Sequence, residues 1–156
     1  MKKPIDDIQR MKELSLKKEL WKPIPFAPEY YVSNMGRIYT TLQHKIKGYE
    51  LIGKKGKQYR RTNIKVNGKF KHFKIARIVA MVWVNGYDSK LVVHHKNLNS
   101  LDDRAVNLVW LTEREHRLLH QMFNAQKTVW TNRLKNYGVD VERMIYDINT
   151  EFTNAN

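Results

Sequence analysis

Four of the six histidines in this chain occur in one segment, LVVHHKNLNSLDDRAVNLVWLTEREHRLLH, at positions 94, 95, 116 and 120. A neutral imidazole binds divalent metal ions, and its pKa near neutrality also makes it a suitable general base. A lone histidine is more often a surface or core side chain than a ligand, so the interpretation depends on the combination. The cluster indicates a metal site, a general base, or both.

The second pair, His116 and His120, is spaced for one face of a helix. Thr112 and Glu115 have the T-x-x-E spacing of a capping box, which predicts a helix beginning at Glu113. Residues four apart on a helix lie one above the other. The two imidazoles can therefore reach a single metal ion.

The first pair, His94 and His95, ends the apolar run LVVHH, which predicts a short strand. Neighbouring side chains in a strand point to opposite sides, so both rings cannot easily join the same ion. One of them can coordinate the metal while the other remains free to accept a proton. Adjacency would thus separate a ligand from a general base.

Charge indicates a polyanionic partner. The 156 residues include 29 Lys and Arg against 15 Asp and Glu, a net charge of +14. Between Lys45 and Arg77 there are twelve basic residues and one acid, Glu50, interleaved with aromatic side chains. This pattern favours phosphate binding over a merely solvated surface. An anionic membrane surface is the weaker alternative, because the block is strand-like and not an amphipathic helix.

Other compositional features exclude several classes of protein. With no cysteine, the chain has no disulfide framework and no thiolate zinc site, which fits a reducing compartment. The start lacks the apolar stretch of a signal peptide, and the longest apolar run, IARIVAMVWV, is too short to span a bilayer. We therefore expect a soluble, cytoplasmic protein of one domain with short appendages.

The elements that position the histidines can be placed along the chain. Residues 1–20 predict a helical extension, and WKPIPFAPEYYVSNMGRIYT predicts a strand, a turn at SNMG and another strand. Asn67-Gly68 is the preferred pair for a type I′ hairpin turn. ARIVAMVWV predicts a buried helix closed by Asn85-Gly86, and NLVWLT a strand after the polar loop 96–106. Residues 128–150 predict one or two closing helices.

The hairpin should concentrate cations on one face. On its first arm Arg61, Asn63 and Lys65 alternate with Thr62, Ile64 and Val66, and strand geometry separates the two sets. The cations that we expect to contact DNA are Arg60, Arg61, Lys65, Lys69, Lys71, Lys74 and Arg77.

The histidine segment resembles the HNH nuclease motif of the ββα-metal (His-Me finger) superfamily, with His95, Asn107 and His116 as its H, N and H. The segment WKPIPFAPEYYVSNMGRIYT resembles the DNA-binding module that precedes this motif in phage and intron-encoded homing endonucleases. The resemblance covers about residues 21–123. It implies an α+β fold in which residues 21–75 form a small antiparallel β-sheet/hairpin DNA-binding module and 76–127 a ββα-metal core, flanked by a helical extension (1–20) and C-terminal helices (128–156).

The resemblance also implies roles for particular residues. His95 would be the general base, and Asn107 would hold the loop that orients it. His94 and His116 would bind one divalent metal ion, and His120 matches a third imidazole found in the bacteriocin-type branch, such as the colicin DNases. The homing-endonuclease branch usually has Asp where this chain has His94. Mg²⁺ or Mn²⁺ is expected, and the all-histidine set makes Zn²⁺, Ni²⁺ or Co²⁺ plausible.

The function expected from these observations is metal-dependent hydrolysis of double-stranded DNA by a monomer or weak dimer, in the bacterial host cytoplasm if the gene is phage-borne, with no membrane partner. The alternative is a DNA-binding protein with a structural zinc site and no catalysis.

Overall fold

The structure is a computed structural model that describes residues 6–55 and 57–135, the last of them (127–135) by backbone only. Three antiparallel sheets and three α-helices follow one another along the chain. In order, the elements are α1 (Asp7–Leu14), β1 (Trp21–Ile24), β2 (Ala27–Ser33), β3 (Ile38–Thr40), β4 (Lys45–Lys47), β5 (Glu50–Lys54), β6 (Lys57–Val66), β7 (Lys69–Lys74), α2 (Ile75–Trp83), β8 (Val92–His95), β9 (Leu108–Leu111) and α3 (Glu113–Lys135).

The first sheet has the strand order β1-β2-β3-β4. The predicted turn at residues 33–36 joins β2 to β3. Ser33 Oγ accepts hydrogen bonds from the backbone N–H groups of Met35 and Arg37, and Gly36 has a φ of +78°. The inner face of the sheet carries the fully buried Ile24 and Val32. Helix α1, predicted within residues 1–20, is attached to this sheet by a 2.6 Å hydrogen bond from the Tyr39 hydroxyl to Asp7.

The second sheet, β5-β6-β7, contains the predicted hairpin. Asn67 and Gly68 have φ values of +51° and +78°, as a type I′ turn requires. Thr62 and Ile64 are buried, whereas Asn63 and its alternation partners on β6 face outward. The prediction that alternation separates an apolar from a polar face of β6 is confirmed.

Helix α2 joins the two halves of the molecule. Ile75, Ile78 and Val79 are buried in one apolar cluster that includes residues of β2, β6 and β9. The helix ends at Trp83, two residues before the predicted closing pair Asn85-Gly86, and Val84 is already extended. The indole N–H of Trp110 donates a hydrogen bond to the carbonyl of Val84. This bond fixes the extended chain where it leaves the helix.

The third sheet and helix α3 form a ββα unit. Strand β8 pairs with β9 in a register that sets His94 opposite Val109. Helix α3 begins at Glu113, as the capping box predicts: the Glu115 N–H donates to Thr112 Oγ1, and the Thr112 N–H donates to the Glu115 carboxylate. Helices were expected in residues 128–156. In this part of the chain α3 continues without a break as far as Lys135, and residues 136–156 lie outside the described residues.

None of the helices in the described part of the chain is long and apolar enough to cross a membrane.

Candidate metal centre and catalytic histidine

His94, His116 and His120 meet between β8 and α3. One ring nitrogen from each lies within 4.8 Å of the other two, and the Nε2 atoms of His116 and His120 are 3.2 Å apart. The His94 ring centroid lies 5.3 and 5.2 Å from those of His116 and His120. The strand end supplies one imidazole, and the first turns of the capped helix supply two on one face. The structure thus brings together the three histidines expected to be ligands.

The electrostatics of the cluster favour neutral imidazoles. Burial lowers the pKa of His94 to about 4, and the charge that His116 and His120 would carry lowers it as well. Burial, followed by the neighbouring His120, also lowers the pKa of His116. A neutral imidazole keeps a lone pair for a cation, so at neutral pH His94 and His116 need not lose a proton before binding a metal.

The arrangement fits a divalent ion. Zinc–imidazole bonds of about 2.0–2.1 Å place two ligands of a tetrahedral ion roughly 3.3 Å apart. The 3.2 Å separation of the His116 and His120 nitrogens agrees with that value. Three protein ligands would leave at least one coordination position for substrate or water, which distinguishes a catalytic zinc-type site from a closed structural one.

His95 lies outside this cluster, as strand alternation predicts. Its Nε2 is 2.9 Å from Oδ1 of Asp103, in the loop between β8 and β9. His95 is 7% exposed, so its ring is more buried than we expected for a general base free to accept a proton. Among the described residues every buried side-chain nitrogen or oxygen has a hydrogen-bond partner, whereas Nδ1 of His95 makes no hydrogen bond to them. That atom therefore reaches the surface, while Asp103 covers the other nitrogen.

Asn107 ties the β8–β9 loop together. It is 5% exposed, and its Oδ1 accepts from the backbone N–H of Asn97. Its amide N–H groups donate to Oδ1 of Asn97 and to the carbonyl of Asp102, both at 2.9 Å. The Lys96 N–H donates to the Asn107 carbonyl directly after His95. Asn107 thus braces the loop that directly follows His95, the residue that the resemblance makes it orient.

Two further loop residues complete this network, and the sequence interpretation gave them no catalytic role. Asn97 donates from its amide to Asp102, and Arg104 forms two hydrogen bonds with the same carboxylate. Burial raises the pKa of Asp102, but the hydrogen bonds and charge of Arg104 outweigh it, so the pKa lies below its ordinary value. Asp102 therefore braces the loop.

The seven cations expected to contact DNA fall into three environments. Arg60 is mostly buried, with its Nε 2.9 Å from Asp103. Arg77 donates from its guanidinium to the carbonyls of Leu91 and Ser89. These two guanidinium groups already hold protein atoms in place. The other five lie on the second sheet, and the register divides them between its faces.

One face of the second sheet, which we call the outer face, carries the residues at odd positions of β6 and their partners on β7. The register sets Arg61 opposite Lys74 and Lys65 opposite Phe70. Lys74 Nζ also lies 4.1 Å from the centroid of the Tyr59 ring. Lys69 and Lys71 pair with Val66 and Ile64 and so belong to the opposite face, at the edge strand. Three of the seven cations therefore share the outer face with two aromatic rings.

Comparison with known proteins assigns the family. Residues 19–65 match the NUMOD4 motif, and residues 74–118 match the HNH endonuclease family, which includes the histidine segment except its last two residues, Leu119 and His120. The chain belongs to the HNH endonucleases. The expected family, the α+β fold and the class of enzyme are confirmed.

Its relatives include phage enzymes. The chain is 33% identical over 127 residues to DNA endonuclease I-HmuI of Bacillus phage SP01, covering 74% of this chain and 67% of that protein. It is 33% identical over 105 residues to H-N-H endonuclease F-TflII of Escherichia phage T5, covering 66% of this chain and 53% of that protein. The fold also matches the solved structure of the HNH homing endonuclease I-HmuI, a protein that binds and cleaves DNA. The TM-score is 0.58 and the sequence identity 30%, over 75% of this chain and 68% of the other.

Proposed function

We propose that this endonuclease hydrolyses phosphodiester bonds of duplex DNA with His95 as the general base, beside a single divalent metal ion held by His94, His116 and His120. The observation that carries the proposal is the separation of two adjacent histidines. His94 faces two other imidazoles, whereas His95 faces a carboxylate. One residue step along β8 thus divides metal binding from proton transfer.

His95 can accept a proton from water at Nδ1. Its other nitrogen is engaged by Asp103, so the ring cannot rotate without breaking that hydrogen bond. A fixed imidazole with an available lone pair is the arrangement that general-base catalysis needs. Asn107 supports this geometry from the opposite strand by fixing the loop backbone that follows His95.

The metal ion, when bound, supplies positive charge to the scissile phosphate and the leaving oxygen. We propose Mg²⁺ or Mn²⁺ as the working ion, with Zn²⁺, Ni²⁺ and Co²⁺ also accepted. The three nitrogen donors of His94, His116 and His120 suit the transition metals better than Mg²⁺.

The outer face of the second sheet is the surface that we propose contacts DNA. Lys65 and Lys74 supply charge for phosphates, as does Arg61, whose guanidinium also lies 2.7 Å from Glu50, and Tyr59 and Phe70 supply flat apolar surface among them. Phe70 is 64% exposed, so its ring is accessible to a partner surface. A twisted antiparallel ribbon can enter the major groove, which is about 12 Å wide.

The described residues contain one such histidine cluster, so each binding event should cut one strand. We therefore propose a nicking activity by a monomer, and a homing role like that of the HNH homing endonuclease I-HmuI. A double-strand break would require a second protein molecule or a second event.

The test is conversion of supercoiled plasmid to the open-circular form by chelator-treated protein, repeated with Mg²⁺, Mn²⁺, Zn²⁺, Ni²⁺ and Co²⁺. The proposal expects no nicking in chelator and recovery with at least one ion. Undiminished nicking in chelator would contradict it. Metal-dependent folding without nicking under any ion would instead favour the DNA-binding protein with a structural zinc site.

A further inference from the structure

We infer that Arg60 and Asp103 form a positioning pair for His95, so that the NUMOD4 module completes the catalytic base of the nuclease core. The inference rests on the proposed role of His95 as the base. It assigns to Asp103 the orientation and tautomer of that ring, and to Arg60 the orientation of Asp103.

Asp103 contacts both partners through different oxygens. Its Oδ1 lies 2.9 Å from Nε2 of His95, and its Oδ2 accepts a 2.9 Å hydrogen bond from Nε of Arg60. The carboxylate is 1% exposed, and the side chain of Arg60 is 14% exposed. A buried carboxylate is costly unless it is paired and hydrogen-bonded, and here two partners satisfy it.

The carboxylate determines which nitrogen of His95 carries the proton. An ionised Asp103 can only accept, so Nε2 of His95 must be the donor in the 2.9 Å contact. The neutral ring then has its lone pair on Nδ1, the atom that reaches the surface. Replacing the acceptor by a donor would put the proton on Nδ1 and remove the base without moving the ring.

Arg60 belongs to a different part of the chain from the residues that it serves. It lies on β6, within the NUMOD4 match, whereas His95 and Asp103 lie within the HNH match. The loop that carries Asp103 makes further hydrogen bonds across the same boundary: the hydroxyl of Ser100 donates to the Gln58 carbonyl, and the Ala105 N–H donates to the Asn34 carbonyl at 2.8 Å.

Close approach at Gly36 belongs to the same contact. A Cβ at this position would lie 2.7 Å from Nη2 of Arg60 and 3.0 Å from the Asp103 carbonyl oxygen. The turn between β2 and β3 therefore packs directly against the Arg60–Asp103 pair. Two segments of the NUMOD4 module, the turn at residues 34–36 and strand β6 at Gln58 and Arg60, thus hold the loop that carries Asp103.

The main test is Asp103→Asn in the full chain, assayed by single-turnover plasmid nicking with metal content and DNA affinity measured in parallel. Arg60 must donate, so it selects the amide oxygen and leaves the amide NH₂ pointing at His95. His95 Nε2 must then accept, and the base is lost. We expect the single-turnover rate constant to fall roughly 10³-fold or more, as when a triad Asp is changed to Asn in a serine protease, with DNA affinity, metal content and folding unchanged.

The double variant Arg60→Met/Asp103→Asn separates positioning from simple loss of a buried ion pair. Without the guanidinium the amide introduced at position 103 can turn its oxygen toward His95. The single-turnover rate constant should therefore recover at least about tenfold relative to Asp103→Asn alone. A purely structural role predicts further loss. Asp88→Asn, an exposed carboxylate outside the site, is the matched control and should nick like the wild type.

A measurement on the wild-type protein guards against a variant that does not fold. Nitrogen-15 spectra of histidine-labelled, zinc-loaded protein should show His95 protonated at Nε2 and not at Nδ1. The opposite tautomer would overturn the inference, and so would Asp103→Asn nicking within about threefold of wild type while His95→Ala is inactive. If nicking by the double variant does not recover, Arg60 does not orient Asp103. Wild-type nicking by His95→Ala would instead contradict the proposed base itself.

Discussion

His94 and His95 are adjacent in β8, yet their rings contact separate sets of side chains. His94 packs edge-on against His116 and His120, and His95 meets Asp103 at 2.9 Å. Because successive strand residues point to opposite sides, the two functions require no loop or insertion to separate them. The division depends only on the β8–β9 register and on the frame in which α3 begins.

Loss of a cluster histidine should weaken metal binding. His120→Ala removes one of three nitrogen ligands, and we expect the affinity for Mn²⁺ or Zn²⁺ to fall by more than about tenfold, since even partners of ligands contribute 10- to 100-fold. Isothermal titration calorimetry of chelator-treated protein measures this. His72→Ala, which changes a half-exposed histidine on the second sheet, is the control. Equal affinities in the two variants would remove His120 from the metal site.

The stability of the metal-free protein should depend on pH through His94. The unfolded chain takes up this proton at its ordinary pKa of 6.5, whereas the pKa in the folded protein is about 4. Between these values the unfolded state binds more protons, so stability is complete above pH 6.5 and falls as the pH decreases toward 4. The expected loss is on the order of 2–3 kcal/mol.

Urea unfolding at pH 7 and pH 4.5 measures this dependence, with His94→Gln as the comparison. The variant should lose less stability over the same interval, because it lacks the His94 imidazole. Asp102 and Glu19, whose pKa values are also lowered, remain in both proteins and contribute the same loss to each. Identical losses in the two proteins would show that His94 is not the responsible group.

Removal of Asn107 should destabilise the fold as well as reduce activity. Asn107→Ala leaves the Asn97 N–H and the Asp102 carbonyl without their partner inside the loop. We expect a decrease of about 2–4 kcal/mol in the free energy of unfolding. Asn63→Ala, an exposed residue on β6, should change stability by less than about 0.5 kcal/mol. A similarly small effect at Asn107 would mean that the loop does not need its side chain.

The outer face should determine the salt dependence of DNA binding. Each phosphate contact contributes about 0.9 to the slope of log K against log salt, so Lys65→Ala and Lys74→Ala should each reduce that slope by about one. Lys17→Ala, an exposed lysine near α1, should leave it unchanged. If all three variants keep the wild-type slope, DNA does not contact the outer face through these lysines.

Local sequence rules predicted the parts of the site that depend on near neighbours. The Thr112–Glu115 spacing fixed where α3 begins and hence which face carries His116 and His120. The Asn67-Gly68 pair fixed the hairpin turn. These features follow from hydrogen bonds between residues two to four apart, which a sequence displays directly.

Contacts between distant residues were not predicted. Arg60 and Asp103 are 43 positions apart, and no local pattern pairs them. A partial signal was present, since Arg60 shares the parity of the buried Thr62 and Ile64 and so points inward on β6. The domain boundary near residue 75 stays a prediction, because α2 contributes to a core that both halves share.

The most direct test of the proposed division between ligand and base is plasmid nicking by His95→Ala with its metal content measured in the same preparation. We expect one divalent ion per chain, bound as in the wild type through His94, His116 and His120, together with a loss of nicking of at least about 10²-fold. Nicking at the wild-type rate by the metal-loaded variant would show that the proton is accepted elsewhere.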